Sequence, residues 1–180
     1  MHPRTRELLD QLDTERAALR DAVQQVPAPL RDQRPSSDRW SVAEVLEHLT
    51  LIENRVALVL IKGFDDLRAR NLAPEQEKSS VLSMINRTLI LDRTRPITAG
   101  EAVRPHGELD AAKAWSALEE ARRLLREAVQ ASDGLPLGEI TQKHPVLGPL
   151  NLYQWVLFVA AHEGRHAAQI REIMEAFAER

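Results

Sequence analysis

The sequence predicts an all-α fold: a four-helix bundle whose helices are joined by long connecting loops. Three observations lead there. Four stretches repeat apolar residues at steps of three and four, the period of a helix face turned to a core. Their ends carry capping and stop signals. Composition favours helix too, with seven glycines, few aromatics and abundant Ala, Leu, Arg and Glu. A chain of 180 residues suits a single domain, residues 1–180, with room for a sizeable core.

The first helix is expected over Thr5 to Gln25. Leu8, Leu9, Leu12, Leu19, Ala22, Val23 and Val26 share one side, and Pro27 and Pro29 stop it. A polar loop leads to Trp40-Ser41-Val42-Ala43-Glu44, a capping-box pattern in which Ser41 caps and Glu44 reaches back. Trp40 closes that helix end as a hydrophobic staple does. The second helix is expected from Val42 to about Lys62, before Gly63, with Val45, Leu49, Ile52, Val56, Val59 and Leu60 buried. His48 lies on or beside that stripe.

Residues 63 to 110 read least clearly. Leu67, Val81, Leu82, Ile85, Leu89 and Ile90 suit a short helix or an excursion over the bundle. Pro96, Gly100, Pro105 and Gly107 then punctuate a long loop. Loops of that length in compact domains are often either functional or disordered, and lining a substrate pocket is the functional role expected here. His106 lies in it, and its Pro and Gly neighbours read as a turn more than as a ligand site.

Asp110 is the expected N-cap of a third helix, Ala111 to about Ala131, with Trp115, Leu118, Leu124, Leu125 and Val129 inward. The connection GLPLGEITQKHPVLGPLN follows, rich in Gly and Pro and containing His144. Asn151 then caps a fourth helix, with Gln154 reaching back.

Composition narrows the function. A hydrophobic content of 43% with 28% charged residues describes an ordinary soluble globular protein. The formal net charge of −3 leaves no basic footprint, which argues against nucleic acid as partner. Without cysteine there is no disulfide framework, thiolate ligand or catalytic thiol, so any metal falls to His, Asp or Glu. No stretch reaches the roughly 20 uninterrupted apolar residues of a membrane span. The charged N-terminal stretch lacks the apolar run of a signal peptide, so the expected setting is the cytoplasm.

The stretch from Gln154 to Met174 carries the chemistry. Trp155, Val159, His162, His166, Ile170 and Ile173 form one stripe, so two histidines sit within an apolar face. A single histidine there is usually a core residue bonded to a carbonyl or water. Two at a spacing of four are neighbours, about 5–6 Å apart at Cβ, and can converge on one ion. With His48 from the second helix they make three imidazoles, a set that leaves a coordination position open, as in catalytic rather than structural zinc. Spacing alone does not name the metal. Glu44 and Gln169 are candidates to fix the ring tautomers, Glu44 having the cap as its alternative role.

His162-Glu163-Gly164-Arg165-His166 also matches H-E-x-x-H, with Glu163 as general base. The third ligand of that motif has no counterpart downstream: Gln169 stands where the extended form needs Gly, and the chain ends too soon for a distant Glu. Glu163 and Arg165 are kept as candidate catalytic residues, against the plainer alternative of surface charge near the site mouth. Gln169 and His144 are the candidate cofactor-binding residues, behind the ligands or at that mouth, where His144 and Arg165 can steer an anionic substrate.

WSVAEVLEHL (Trp40 to Leu49) resembles the first signature of the DinB-like superfamily, in which Trp-Ser precedes the helix bearing the first metal histidine. HPVLGPLNLYQWVLFVAAHEGRHAAQI (His144 to Ile170) resembles its second, a His-Pro-x-x-Gly loop followed by H-x-x-x-H-x-x-Q. The helical pattern extends the likeness over almost the whole chain. The resemblance implies a four-helix bundle holding a divalent metal, usually Zn or Ni, on three histidines, here His48, His162 and His166. It implies frequent homodimers, and thiol-cofactor-dependent transferases and isomerases among the known chemistries. Glu163 is not part of the family pattern.

The function expected from these residues is metal-dependent activation of water or of a small-molecule thiol, in a hydrolase or a thiol-dependent S-transferase acting on a small-molecule substrate. A chain with no Cys of its own suits a thiol brought by a cofactor. The alternative is a non-catalytic metal-binding or stress-related bundle protein in which the ion mainly stabilises the fold.

Overall fold

In the computed structural model, which describes residues 1–95 and 97–179, the four expected amphipathic stretches are helices. Helix α1 spans Pro3–Gln25 and starts two residues earlier than expected, because Pro3 suits a first helical position and the His2 side chain accepts from Arg4 N. Helix α2 spans Val42–Arg70, α3 is the single turn and a half Arg87–Leu91, α4 spans Ala111–Ala131 and α5 spans Leu152–Ala178. Both capping boxes form, Ser41 with Glu44 and Asn151 with Gln154, and Asp110 caps α4 through Lys113 N at 2.8 Å.

Gly63 does not end α2. The helix runs on to Arg70 and stops at Asn71, whose left-handed φ of 49° breaks it. Gly63 sits where α2 presses on α5: a Cβ there would lie 2.7 Å from Leu152 Cδ1. The glycine therefore serves a close helix crossing, at a helix-propensity penalty of about 1 kcal/mol. Leu124 is a second correction. It is 42% exposed, on the outer side of α4, while its neighbour Leu125 is fully buried. The Gly- and Pro-rich connection also holds more structure than a loop. Strands β1 (Thr141–His144) and β2 (Gly148–Asn151) pair antiparallel, His144 opposite Gly148, which turns at φ +80°.

Side-chain pairings fix the helix directions. Arg16 meets Glu163 and Glu15 lies beside Gly164, so α1 and α5 run parallel given the contact of Arg4 with Tyr153 further up both. Glu53 meets Arg122 and Arg68 reaches the Ala131 carbonyl, so α2 and α4 are parallel to each other. Gly63 against Leu152 and His48 against His162 set α2 antiparallel to α5. Because α2 and α4 point the same way, the chain between them must travel back the length of the bundle. The described residues between the two helices, 71–95 and 97–110, make that return, which explains why they carry so little helical periodicity. Pro96, one of the expected loop breakers, lies outside the described residues.

Two apolar cores fill the bundle, one around Leu8, Leu60, Leu125 and Val156 and the other around Leu19, Leu46, Leu118 and Ile170. Between them lies a layer of charge with one member from each long helix. Arg16 of α1 and Arg122 of α4 clasp Glu53 of α2 and Glu163 of α5, both carboxylates being 0% exposed. Arg16 Nε donates to Glu163 at 2.6 Å and its Nη2 to Glu53 at 2.9 Å. Arg122 donates to Glu53 at 2.8 and 3.0 Å and to Glu163 at 2.6 Å. Each carboxylate thus receives charged donors from two arginines, the condition under which buried ions are tolerable. Trp115 stacks beneath the Arg16 guanidinium, 5.7 Å from its ring centre.

No helix among the described residues is long and apolar enough to cross a membrane.

Candidate metal centre

Helix periodicity brings three imidazoles to one point. His162 and His166 stand one turn apart on α5, and His48 faces them from antiparallel α2. One ring nitrogen from each lies within 4.8 Å of the other two. His162 Nε2 and His166 Nε2 are 3.2 Å apart. Two nitrogens bound tetrahedrally to one zinc at about 2.0–2.1 Å would be separated by roughly 3.3 Å, so this pair is already at ligand spacing. The rings of His48 pack 5.2 and 4.9 Å from those of His162 and His166.

The groups behind the rings decide which nitrogens carry protons. His48 Nδ1 sits 2.6 Å from the Val103 carbonyl oxygen, and His166 Nδ1 sits 2.7 Å from Gln169 Oε1. Both partners accept, so each Nδ1 holds the hydrogen and each Nε2 is a bare lone pair. His162 has no such partner among the described residues, where its buried Nδ1 makes no hydrogen bond. Burial lowers the pKa of His48, and the Val103 hydrogen bond opposes that only in part. His162 and His166 are held well below the ordinary imidazole value, first by burial and then by the neighbouring rings. The trio is therefore neutral near pH 7, the form that binds metal. Two fixed lone pairs and a third ring at ligand spacing fit a divalent metal ion.

Of the expected supporting residues, Gln169 is in place. Glu44 is not: it accepts from Ser41 N at 2.8 Å and pairs with Arg34, which leaves it to the helix cap. Val103 takes the role instead. No sequence signal marks it, because any residue supplies a carbonyl. Trp40 packs on the His48 ring at 5.1 Å and so borders the centre as well as the helix end.

The other candidates are turned elsewhere. Glu163 faces the charged layer, roughly a quarter-turn around α5 from His162, with both oxygens engaged by arginines. Placing it at the histidines as a general base is corrected by that engagement. Arg165 does not stand free at a mouth. It is 6% exposed and its guanidinium donates to the carbonyls of Ile90, Asp92 and Arg95, strapping the returning segment onto α5. His144 sits on Phe158 and Trp155, and its Nδ1 accepts from Val146 and Leu147 N at 3.1 and 3.0 Å, which shapes the hairpin turn. Phe158 packs against both the His144 ring and the His162 ring, at 4.4 and 5.2 Å between centroids. His106 is exposed, and its backbone N–H donates to Glu47 at 2.9 Å.

Gly164 allows the segment its course. A Cβ there would meet Glu15 Oε2 at 2.4 Å and Leu91 Cδ2 at 3.3 Å. A cavity of about 210 Å³ lies between that segment and the α1 and α5 helices, lined by Gln11, Leu82, Ile85, Arg87, Leu157, Ala160 and Ala161. Its α5 residues are on the side opposite the histidines, so it is no part of the centre.

Known proteins share this architecture. The solved structure of TT2238, described as a four-helix bundle protein, matches with a TM-score of 0.59 at 23% identity, covering 93% of this chain and 98% of that one. At that identity the likeness speaks for the fold alone. The uncharacterized protein YuaE of Bacillus subtilis (strain 168) is 27% identical over 148 residues, which is 80% of this chain and 83% of that protein. The model of the DinB superfamily matches residues 11–170, a span that takes in all three histidines. This chain belongs to the DinB superfamily.

Proposed function

We propose that the protein is a metal-dependent enzyme that holds a divalent ion, Zn or Ni, on His48, His162 and His166. The observation that carries this reading is the convergence of three neutral imidazoles, two with their lone pairs fixed by acceptors behind them. Bound there, the ion would supply Lewis-acid activation of water or of a small-molecule thiol near neutral pH. Hydrolysis and thiol-dependent S-transfer both follow from that chemistry, and the chain brings no thiol of its own.

The protein's residues then divide the work. Val103 and Gln169 orient two ligand rings, Trp40 and Phe158 keep water from their flanks, and Arg165 holds the segment that passes beside them. Glu163 contributes by locking α5 in register rather than by moving a proton. The reading includes a small-molecule substrate, a homodimer and a cytoplasmic setting, with neither nucleic acid nor membrane as partner.

A non-catalytic role, with the ion mainly stabilising the bundle, is favoured by the depth of His48 and His166, 5% and 6% exposed. Turnover separates the two. Zinc- and nickel-loaded protein is to be assayed against ester and thiol-acceptor panels, beside His166→Ala. Metal-dependent turnover lost in the variant supports the enzyme. A large melting-temperature gain on metal addition with no turnover supports the structural role.

A further inference from the structure

The residue before His48 carries more than its place in the helix requires. Glu47 is 8% exposed and makes no hydrogen bond to the three rings; its carboxylate turns to the loop that ends the returning segment. One oxygen accepts from His106 N at 2.9 Å and the other from Gly107 N at 3.0 Å. Gly107 adopts φ +74°, a conformation that only glycine takes without strain, so the backbone is shaped to present both N–H groups. Three residues earlier in the same loop, the Val103 carbonyl meets His48 Nδ1. Arg55, two turns further along α2, donates to the Ala102 carbonyl at 2.8 Å. Residues 102 to 107 are thus clamped to α2 on both sides of the carbonyl that receives the His48 ring.

We infer that Glu47 is a positioning residue for His48: by gripping the His106–Gly107 backbone it keeps the Val103 carbonyl on Nδ1 and so leaves Nε2 unprotonated toward His162 and His166. The inference rests on the metal-centre reading above. A carboxylate accepting two backbone N–H bonds holds them more strongly than a neutral acceptor, and this grip adds to the tight turn over Glu101–Val103, in which Val103 N donates to the Gly100 carbonyl at 3.1 Å. Loosening the loop frees the carbonyl, and the imidazole hydrogen then exchanges between its two nitrogens.

The test is Glu47→Gln, which keeps size but sets an amide NH2 against one of the two backbone N–H groups. Nitrogen-15 NMR of the metal-free protein reads the His48 tautomer. The wild type is expected to show hydrogen on Nδ1 alone, and the variant a mixture. Zinc titration is expected to give about 10–100-fold weaker binding in the variant, as for other losses behind a metal ligand. Arg55→Ala, on an exposed side chain, should move both readings the same way by a smaller factor and carries the test should Glu47→Gln not fold. A lowered melting temperature with the tautomer and the zinc affinity unchanged overturns the inference, since that is all a structural carboxylate would do. A wild type that takes up no zinc defeats the metal reading, while the tautomer comparison still decides whether Glu47 governs His48.

Discussion

His48, His162 and His166 owe their ligand character to what lies behind each ring and to the water they have lost. All three have pKa values pushed below the unfolded imidazole value of about 6.5. Above that pH both folded and unfolded rings are neutral and the groups leave stability unchanged. As pH falls through it, the unfolded chain takes up protons that the folded one does not, and stability is lost. Urea melts of metal-free protein are therefore expected to hold a constant midpoint from pH 8 to about 6.5 and to decline below, with a smaller decline in His166→Gln. A His166→Gln variant whose decline matches the wild type would show that this ring is not kept neutral by the fold. At this scale the sequence was legible where spacing alone decides: the i, i+4 pair and His48 on a buried stripe. It was not legible for Glu163, whose partners Arg16 and Arg122 lie 147 and 41 residues away. A glutamate beside a ligand looks the same on paper whichever side of the helix it serves.

The long helices were readable from caps and periodicity, and Ser41, Asp110 and Asn151 each begin a helix as expected. The errors came where a residue's usual meaning yielded to packing between elements. Gly63 reads as a stop, yet it is the point where α2 lies against Leu152. Gly63→Ala should accordingly destabilise, because an overpacked contact costs about 1–3 kcal/mol and outweighs the roughly 1 kcal/mol gained in helix propensity. Thermal or urea unfolding checks the sign, and a stabilised variant would mean that Leu152 moves aside freely. The β1–β2 hairpin escaped notice because its four-residue strands alternate weakly and its turn is built by His144 rather than by a recognisable turn pair. The returning segment has few periodic residues because it is held by single anchors: Arg165 on its carbonyls, Arg93 to Glu172 and Glu47 on its last amides.

Across the whole molecule, one charged layer ties the four long helices together, and His162 sits on α5 one residue from its member Glu163. Glu163→Ala leaves two buried arginines short of a partner and is expected to destabilise by about 3–5 kcal/mol, measured by urea unfolding, with metal stoichiometry unchanged. Loss of turnover in a fully stable Glu163→Ala protein would instead return that carboxylate to the chemistry. The layer also explains why topology was beyond the sequence. Which helices run parallel depends on pairings such as Glu53 with Arg122, and four amphipathic stripes alone fit several arrangements. Metal analysis of the purified protein tests the central claim most directly. One Zn or Ni per wild-type chain, absent from His48→Ala and from His166→Ala, is the predicted result. A wild type with no stoichiometric divalent ion, or a His48→Ala protein that keeps its ion, would contradict it.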